Sequence, residues 1–176
     1  MEIAQAQRDV RTTFEGGFVG GLVSGSLWAA SAALATWSTP RNAILLLVVG
    51  GFFIFPLTQL ALRLMGRPSA LPKGHPMNAL AMQVAFTLPL NLPLVGAATV
   101  YRLDWFYPAF MIAVGTHYLP FVFLYGIWQF YVLAAVLIGA GFVLGAYLPL
   151  PFPTGGWLTA AALFVFAFVG KSVARR

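Results

Sequence analysis

Residues 128–147 read WQFYVLAAVLIGAGFVLGAY, a run without a single charged side chain. A helix rises 1.5 Å per residue, so about 20 such residues cross the ~30 Å hydrocarbon core of a bilayer. A membrane strand would instead alternate apolar and polar residues with a period of two, and this run does not. Five further stretches read the same way: Phe14 to Trp37, Asn42 to Leu64, Met77 to Val100, Trp105 to Tyr125 and Gly155 to Gly170. The sequence therefore predicts an all-α, polytopic transmembrane bundle of six helices, with residues 1–176 forming one transmembrane domain.

Composition agrees. Of 176 residues 60% are hydrophobic and 8% charged, and the mean hydropathy is +0.86, a balance that a water-soluble domain with a polar surface cannot sustain. Membrane lipids are the expected partner. Met1 to Thr13 carries Glu2, Arg8, Asp9 and Arg11 in place of a basic leader and short apolar core, so the first apolar run is expected to stay as a membrane helix. The absence of cysteine excludes disulfides, thiolate nucleophiles and Cys-ligated metals. The formal charge of +6 comes from basic residues scattered singly near helix ends, a pattern that does not point to nucleic acid. Arg8, Arg11, Arg63, Arg67, Lys73, Lys171, Arg175 and Arg176 fall on one side of the expected bundle, and Arg41 and Arg102 on the other. By the positive-inside rule both termini are expected in the cytoplasm.

Connections are short except for the link from Met65 to Pro76, and short links favour antiparallel neighbours. Gly17, Gly21, Gly25, Ala29 and Ala33 lie four residues apart along the first helix, and Gly141 and Gly145 repeat that spacing in the fifth. Such small-residue faces admit a second helix at close range, within the chain by preference and between copies in a homo-oligomer as the alternative. Most aromatics fall near helix ends, where membrane interfaces hold them. Trp28 lies near mid-depth, where it either fills the core or lines a pocket.

The polar groups inside the membrane are few. Gln83, Thr87 and Asn91 recur every fourth residue, drifting about 40° per step, so the third helix carries a polar stripe that must face protein or water. Pro89 and Pro93 flank Asn91 and remove two donors from the helix ladder, predicting a kink or break there. His117 is the only ionisable group expected near mid-bilayer, and an intramembrane imidazole is either a ligand-binding group or a hydrogen-bonded tie between helices. Tyr118 adjoins it, Tyr125 follows eight residues later, and Gln129 and Gln59 fall in the same half of the bilayer. The predicted site is a cavity opening to the cytoplasm, lined by His117, Asn91, Gln83, Thr87, Tyr118, Tyr125, Gln129, Gln59 and Trp28. Glu15 is expected to pair with Arg11 one turn earlier. Asp104 is expected to pair with Arg102 or cap the fourth helix.

Four acidic residues in all, none deep in the membrane, supply neither a carboxylate mechanism nor a metal cluster. No catalytic residue, metal or cofactor is expected, and an enzyme is the weaker class. An amide, imidazole and phenol lining suits a transporter or channel for a small solute or ion. The alternative is a non-catalytic binder of a lipid or apolar small molecule, or a membrane subunit of a larger complex.

His117-Tyr118-Leu119-Pro120-Phe121-Val122-Phe123-Leu124-Tyr125-Gly126, together with the segment from Gly16-Gly17 to Trp28, resembles a family of small bacterial multipass proteins known only as a domain of unknown function. The resemblance implies a multi-pass protein of the bacterial inner membrane. It carries no activity, catalytic residue or cofactor with it.

Overall fold

The computed structural model describes residues 1–174, and every regular element in them is helical. Arg175 and Arg176, counted above in the charge bias, lie outside the described residues. The helices are α1 (Ile3–Thr13), α2 (Phe18–Trp37), α3 (Pro40–Gly51), α4 (Ile54–Leu64), α5 (Met77–Tyr101), α6 (Phe106–Tyr125), α7 (Gln129–Ala146) and α8 (Thr154–Ala174). Single-turn 3-10 segments, Glu15–Gly17 and Leu103–Trp105, precede α2 and α6. Five helical stretches are long and apolar enough to cross a bilayer, and α3 with α4 qualifies as a sixth although bent by 61°. The protein is a membrane helix bundle.

Its discontinuity lies in the second span. Two glycines, Gly50 and Gly51, end α3, and Pro56 follows in the first turn of α4. A proline there lacks the N–H that a continuous helix would give to the carbonyl of Phe52, and its ring would collide with that carbonyl. The glycines make the local unwinding cheap. Of the kink or break predicted at Pro89 and Pro93, the break does not occur: α5 runs as one helix from Met77 to Tyr101 with both prolines inside it. Between them the Asn91 side chain donates to the Thr87 carbonyl at 2.7 Å, adding a donor where the prolines have removed two. In lipid an opened helix would leave backbone groups unsatisfied, which favours keeping the rest of the ladder closed.

The polar leader Met1 to Thr13 is largely α1, an amphipathic helix whose Ala6 and Val10 are buried. It is followed by three successive left-handed residues, Glu15 (φ 49), Gly16 (φ 65) and Gly17 (φ 84). Glycine adopts this conformation without steric cost, whereas a side chain there costs about 1–2 kcal/mol, so Glu15 is the strained member. The turn takes Glu15 off the α1 surface, and the predicted pairing with Arg11 is replaced by one with Arg67, whose Nη2 lies 2.8 Å from Glu15 Oε1.

The small-residue faces are used inside the chain. Gly16 abuts the Gly170 carbonyl, a methyl group on Gly21 would sit 2.9 Å from Ala167 Cβ, and one on Gly25 would sit 3.0 Å from the Phe164 ring, so α8 lies close along α2. Gly17, in the turn, faces Phe130 instead. Gly115 and Gly141 do the same between α6 and α7, where added methyls would reach Ile138 and the Pro108 carbonyl at 2.7 Å. Helix α6 is the centre of the bundle, packed against α1, α5, α7 and α8. Helices α3 and α4 pack on α2, while α5 packs on α6, and no substantial interface joins α5 to α3 or α4.

Candidate functional site

The gap between those two pairs is a cavity of about 350 Å³, within the ~300–1,000 Å³ range of small-molecule sites. Residues of all eight helices and the turn at Gly16-Gly17 wall it. Helix α6 presents Phe110, Val114, His117, Tyr118, Phe121 and Tyr125, recurring at three- and four-residue steps on one face. Helix α2 presents Gly20, Gly21, Ser24 and Trp28, and Phe130 enters from α7. The lining includes no Asp, Glu, Lys or Arg.

His117 is held from outside the cavity. Thr87 Oγ1 lies 2.8 Å from His117 Nδ1 and donates its own hydrogen to the Val84 carbonyl at 2.7 Å. A hydroxyl has one hydrogen, so with that hydrogen on the Val84 carbonyl Thr87 accepts from Nδ1, the arrangement that leaves Nε2 as the acceptor of the neutral ring. Nε2 finds no partner among the described residues. The ring sits 5.1 Å from Phe121 and 5.8 Å from Tyr118.

Tyr118 and Tyr125 lie two turns apart on α6, and both rings are buried. Phe130 stacks on Tyr118 at 5.9 Å and meets Tyr125 at 5.4 Å, while Phe121 contacts both tyrosines. Rings packed in this way fix one another's orientation. Neither tyrosine hydroxyl has a hydrogen-bond partner among the described residues, and the same is true of Ser24, also buried at the cavity wall. None of the three is among the sealed, unsatisfied polar atoms of the described residues, so these hydroxyls open onto the cavity and are free to bond what enters it.

Of the residues expected to gather, His117, Tyr118, Tyr125, Gln59 and Trp28 border this cavity. Gln59 is partly engaged, reaching the Ser69 carbonyl at 3.4 Å. Trp28 is 2% exposed and packs 5.3 Å from Phe110, so it fills the core and lines the pocket at once. Thr87 stands behind His117 rather than in the wall. Asn91 turns back onto its own helix, Gln83 faces outward, and Gln129 keeps a buried Oε1 without a partner away from the cavity. The stripe on α5 divides because the 40° drift per step carries Gln83 off the face that Thr87 presents to α6. Ser24 and Phe130 were not singled out from sequence. Ser24 precedes Trp28 by one turn, and that spacing was the available signal.

Helix α1 lies across the end of the bundle that carries both termini, with Gln7 Nε2 donating to the Phe123 carbonyl at 2.6 Å and His75 Nε2 3.4 Å from Asp9 Oδ2. Val10, Phe14 and Leu71 close the cavity there. The open side is lateral, where the lining residues Phe52 and Phe55 are 59% and 60% exposed and Ala85 faces outward from α5.

At the opposite end a second cleft of about 270 Å³ lies between Trp105 and the segment Tyr147 to Phe152. Asp104 neither caps α6 nor meets Arg102, whose guanidinium lies 5.5 Å from the Trp105 ring centre.

Comparison with curated proteins and with solved structures finds no match. A family model described as a family of unknown function, DUF7010, matches residues 3–171, nearly the whole length, and the chain belongs to that family.

Proposed function

We propose that this protein binds an amphipathic small molecule drawn from the bilayer, as a membrane-embedded receptor or carrier. The observation that carries the reading is the lateral cavity: open to lipid between α3–α4 and α5, apolar and aromatic over most of its wall, with the free Nε2 of His117 and the unpartnered hydroxyls of Tyr118, Tyr125 and Ser24 inside. An aqueous solute would meet Phe52 and Phe55 at the entrance, whereas an apolar molecule already dissolved in the membrane reaches it without leaving lipid. The basic residues near the terminal end favour an orientation with that end in the cytoplasm.

Passage of a small solute is the second reading, favoured by the polar contacts that hold α1 over the terminal end, Gln7 with Phe123 and Asp9 with His75. Displacing α1 would join the cavity to water.

The deciding experiment is native mass spectrometry of the protein released from membranes, comparing the natural chain with Ala85→Trp, which places an indole in the lateral opening. A co-purifying mass present in the first and lost in the second supports binding. Equal retention of the same mass by both overturns it, and solute flux into proteoliposomes then tests the second reading.

A further inference from the structure

The hydrogens in the cavity wall constrain the head of the molecule that would occupy it. No Asp, Glu, Lys or Arg lines the wall, so a carboxylate, phosphate or ammonium head would be stripped of water with no counter-charge to receive it. Among the uncharged groups, several have their hydrogen committed elsewhere. Thr87 takes the Nδ1 hydrogen of His117 and leaves Nε2 to accept. Thr58, on α4, gives its own hydrogen to the Ile54 carbonyl at 2.7 Å, so its Oγ1 has only lone pairs left to offer. Its neighbour Gln59 has its Nε2 on the Ser69 carbonyl at 3.4 Å, and Gln59 Oε1, an amide oxygen, can only accept. Neither His117 Nε2 nor Gln59 Oε1 is a sealed atom. Two walls of the cavity, α4 and α6, thus hold acceptors that need a hydrogen from the occupant. The hydroxyls of Ser24, Tyr118 and Tyr125 and the indole N–H of Trp28 offer hydrogens in return. A head made only of ether or ester oxygens would meet those donors and leave the acceptors bare, whereas a hydroxyl both donates and accepts. The rest of the wall, with Leu47, Leu88, Leu92 and Phe110, suits a hydrocarbon chain, and a cavity of about 350 Å³ is at the small end of ligand sites, which favours one chain over two.

We infer that the cavity receives a single-chain, uncharged lipid with a hydroxyl-bearing head, of the monoacylglycerol class, whose hydroxyls donate to the acceptors His117 Nε2, Thr58 Oγ1 and Gln59 Oε1. This rests on the binding function proposed above and specifies its ligand. Thr87 is a positioning residue that acts through the His117 tautomer.

The test uses four probes with a ten-carbon chain and different heads: 1-decanoylglycerol, the same molecule with both hydroxyls methylated, decanoate and decylammonium. Affinity is read by calorimetric titration of the purified protein in detergent at mildly alkaline pH, with detergent alone as the blank, and folding by the circular-dichroism melting curve. The expected result is tightest binding of 1-decanoylglycerol. Thr58→Val removes one acceptor at nearly constant shape and weakens 1-decanoylglycerol about fivefold, the loss of one hydrogen bond. It leaves the methylated probe unchanged, so the ratio of the two affinities falls, which a merely structural role would not produce. Equal affinity for the methylated and hydroxyl-bearing probes in the natural chain, or tightest binding of either charged probe, overturns the assignment of the head while the lipid-binding function stands. If none of the four binds, both are overturned.

Discussion

The hydroxyl of Ser31 on α2 lies 2.7 Å from that of Tyr107 on α6, and Ser31 Oγ also donates to the Ala43 carbonyl on α3 at 2.9 Å. The serine hydrogen is committed to the carbonyl, so Tyr107 donates to Ser31, and one buried relay ties three helices beside Trp28. Both residues are 0% exposed. The two ends of the relay are unequal. Ser31→Ala strands the Tyr107 hydroxyl in the core and should cost about 1–3 kcal/mol, whereas Tyr107→Phe leaves Ser31 bonded to Ala43 and should cost nearer ~1 kcal/mol. Equilibrium unfolding in mixed micelles measures both, and equal losses would contradict the relay.

Glycines in this bundle should divide sharply by what surrounds them. Gly16→Ala combines a positive φ of 65 with a methyl driven into the Gly170 carbonyl, and Gly21→Ala forces α8 away at Ala167. Each should destabilise by about 2 kcal/mol or more. Gly139→Ala, on α7, meets nothing within 4 Å and should be neutral or slightly stabilising through helix propensity. Melting temperatures of the three variants, compared in one detergent, decide the matter.

The tautomer of His117 is directly observable. Nitrogen-15 NMR of ring-labelled protein should find the proton on Nδ1. In Thr87→Val, which removes the acceptor at 2.8 Å, signal should move towards the Nε2-protonated form. A ring already protonated on Nε2 in the natural chain would remove Thr87 from the site.

The bend of the second span has a single-residue origin that can be removed. Pro56→Ala restores the donor to the Phe52 carbonyl and should let α3 and α4 approach one continuous helix, reducing the 61° angle. Spin labels at Leu45 and Leu60, both outward-facing, should then move apart in a pulsed-EPR measurement. An unchanged distance would place the cause of the bend in Gly50 and Gly51.

Orientation follows from charge and has a simple assay because the chain has no cysteine. Ala70→Cys should react with an impermeant maleimide only from the cytoplasmic side, and Ser38→Cys only from the opposite side. The reverse pattern would overturn the charge-based topology.

Much of this architecture was legible in the chain. Apolar runs such as 128–147 are long enough to cross a bilayer and carry no charge, and in lipid such a segment has no stable form but a helix. The small-residue spacing of Gly21 and Gly25 marked the face that α8 occupies, since close approach requires the absence of side chains. His117 stood out because an intramembrane imidazole is rare. What the sequence could not specify was which polar residues meet. Gln83, Thr87 and Asn91 share a periodicity, yet only Thr87 reaches His117, because contact depends on where α5 lies along α6 and how each is rotated. The prolines of α5 read as a kink or break, yet α5 stays a continuous helix, while the unread discontinuity formed in the second span, where two glycines precede Pro56. Helix formation and membrane insertion are local consequences of composition. The cavity is decided by packing, since it exists where α3–α4 and α5 fail to meet, and no local property of either segment encodes that gap.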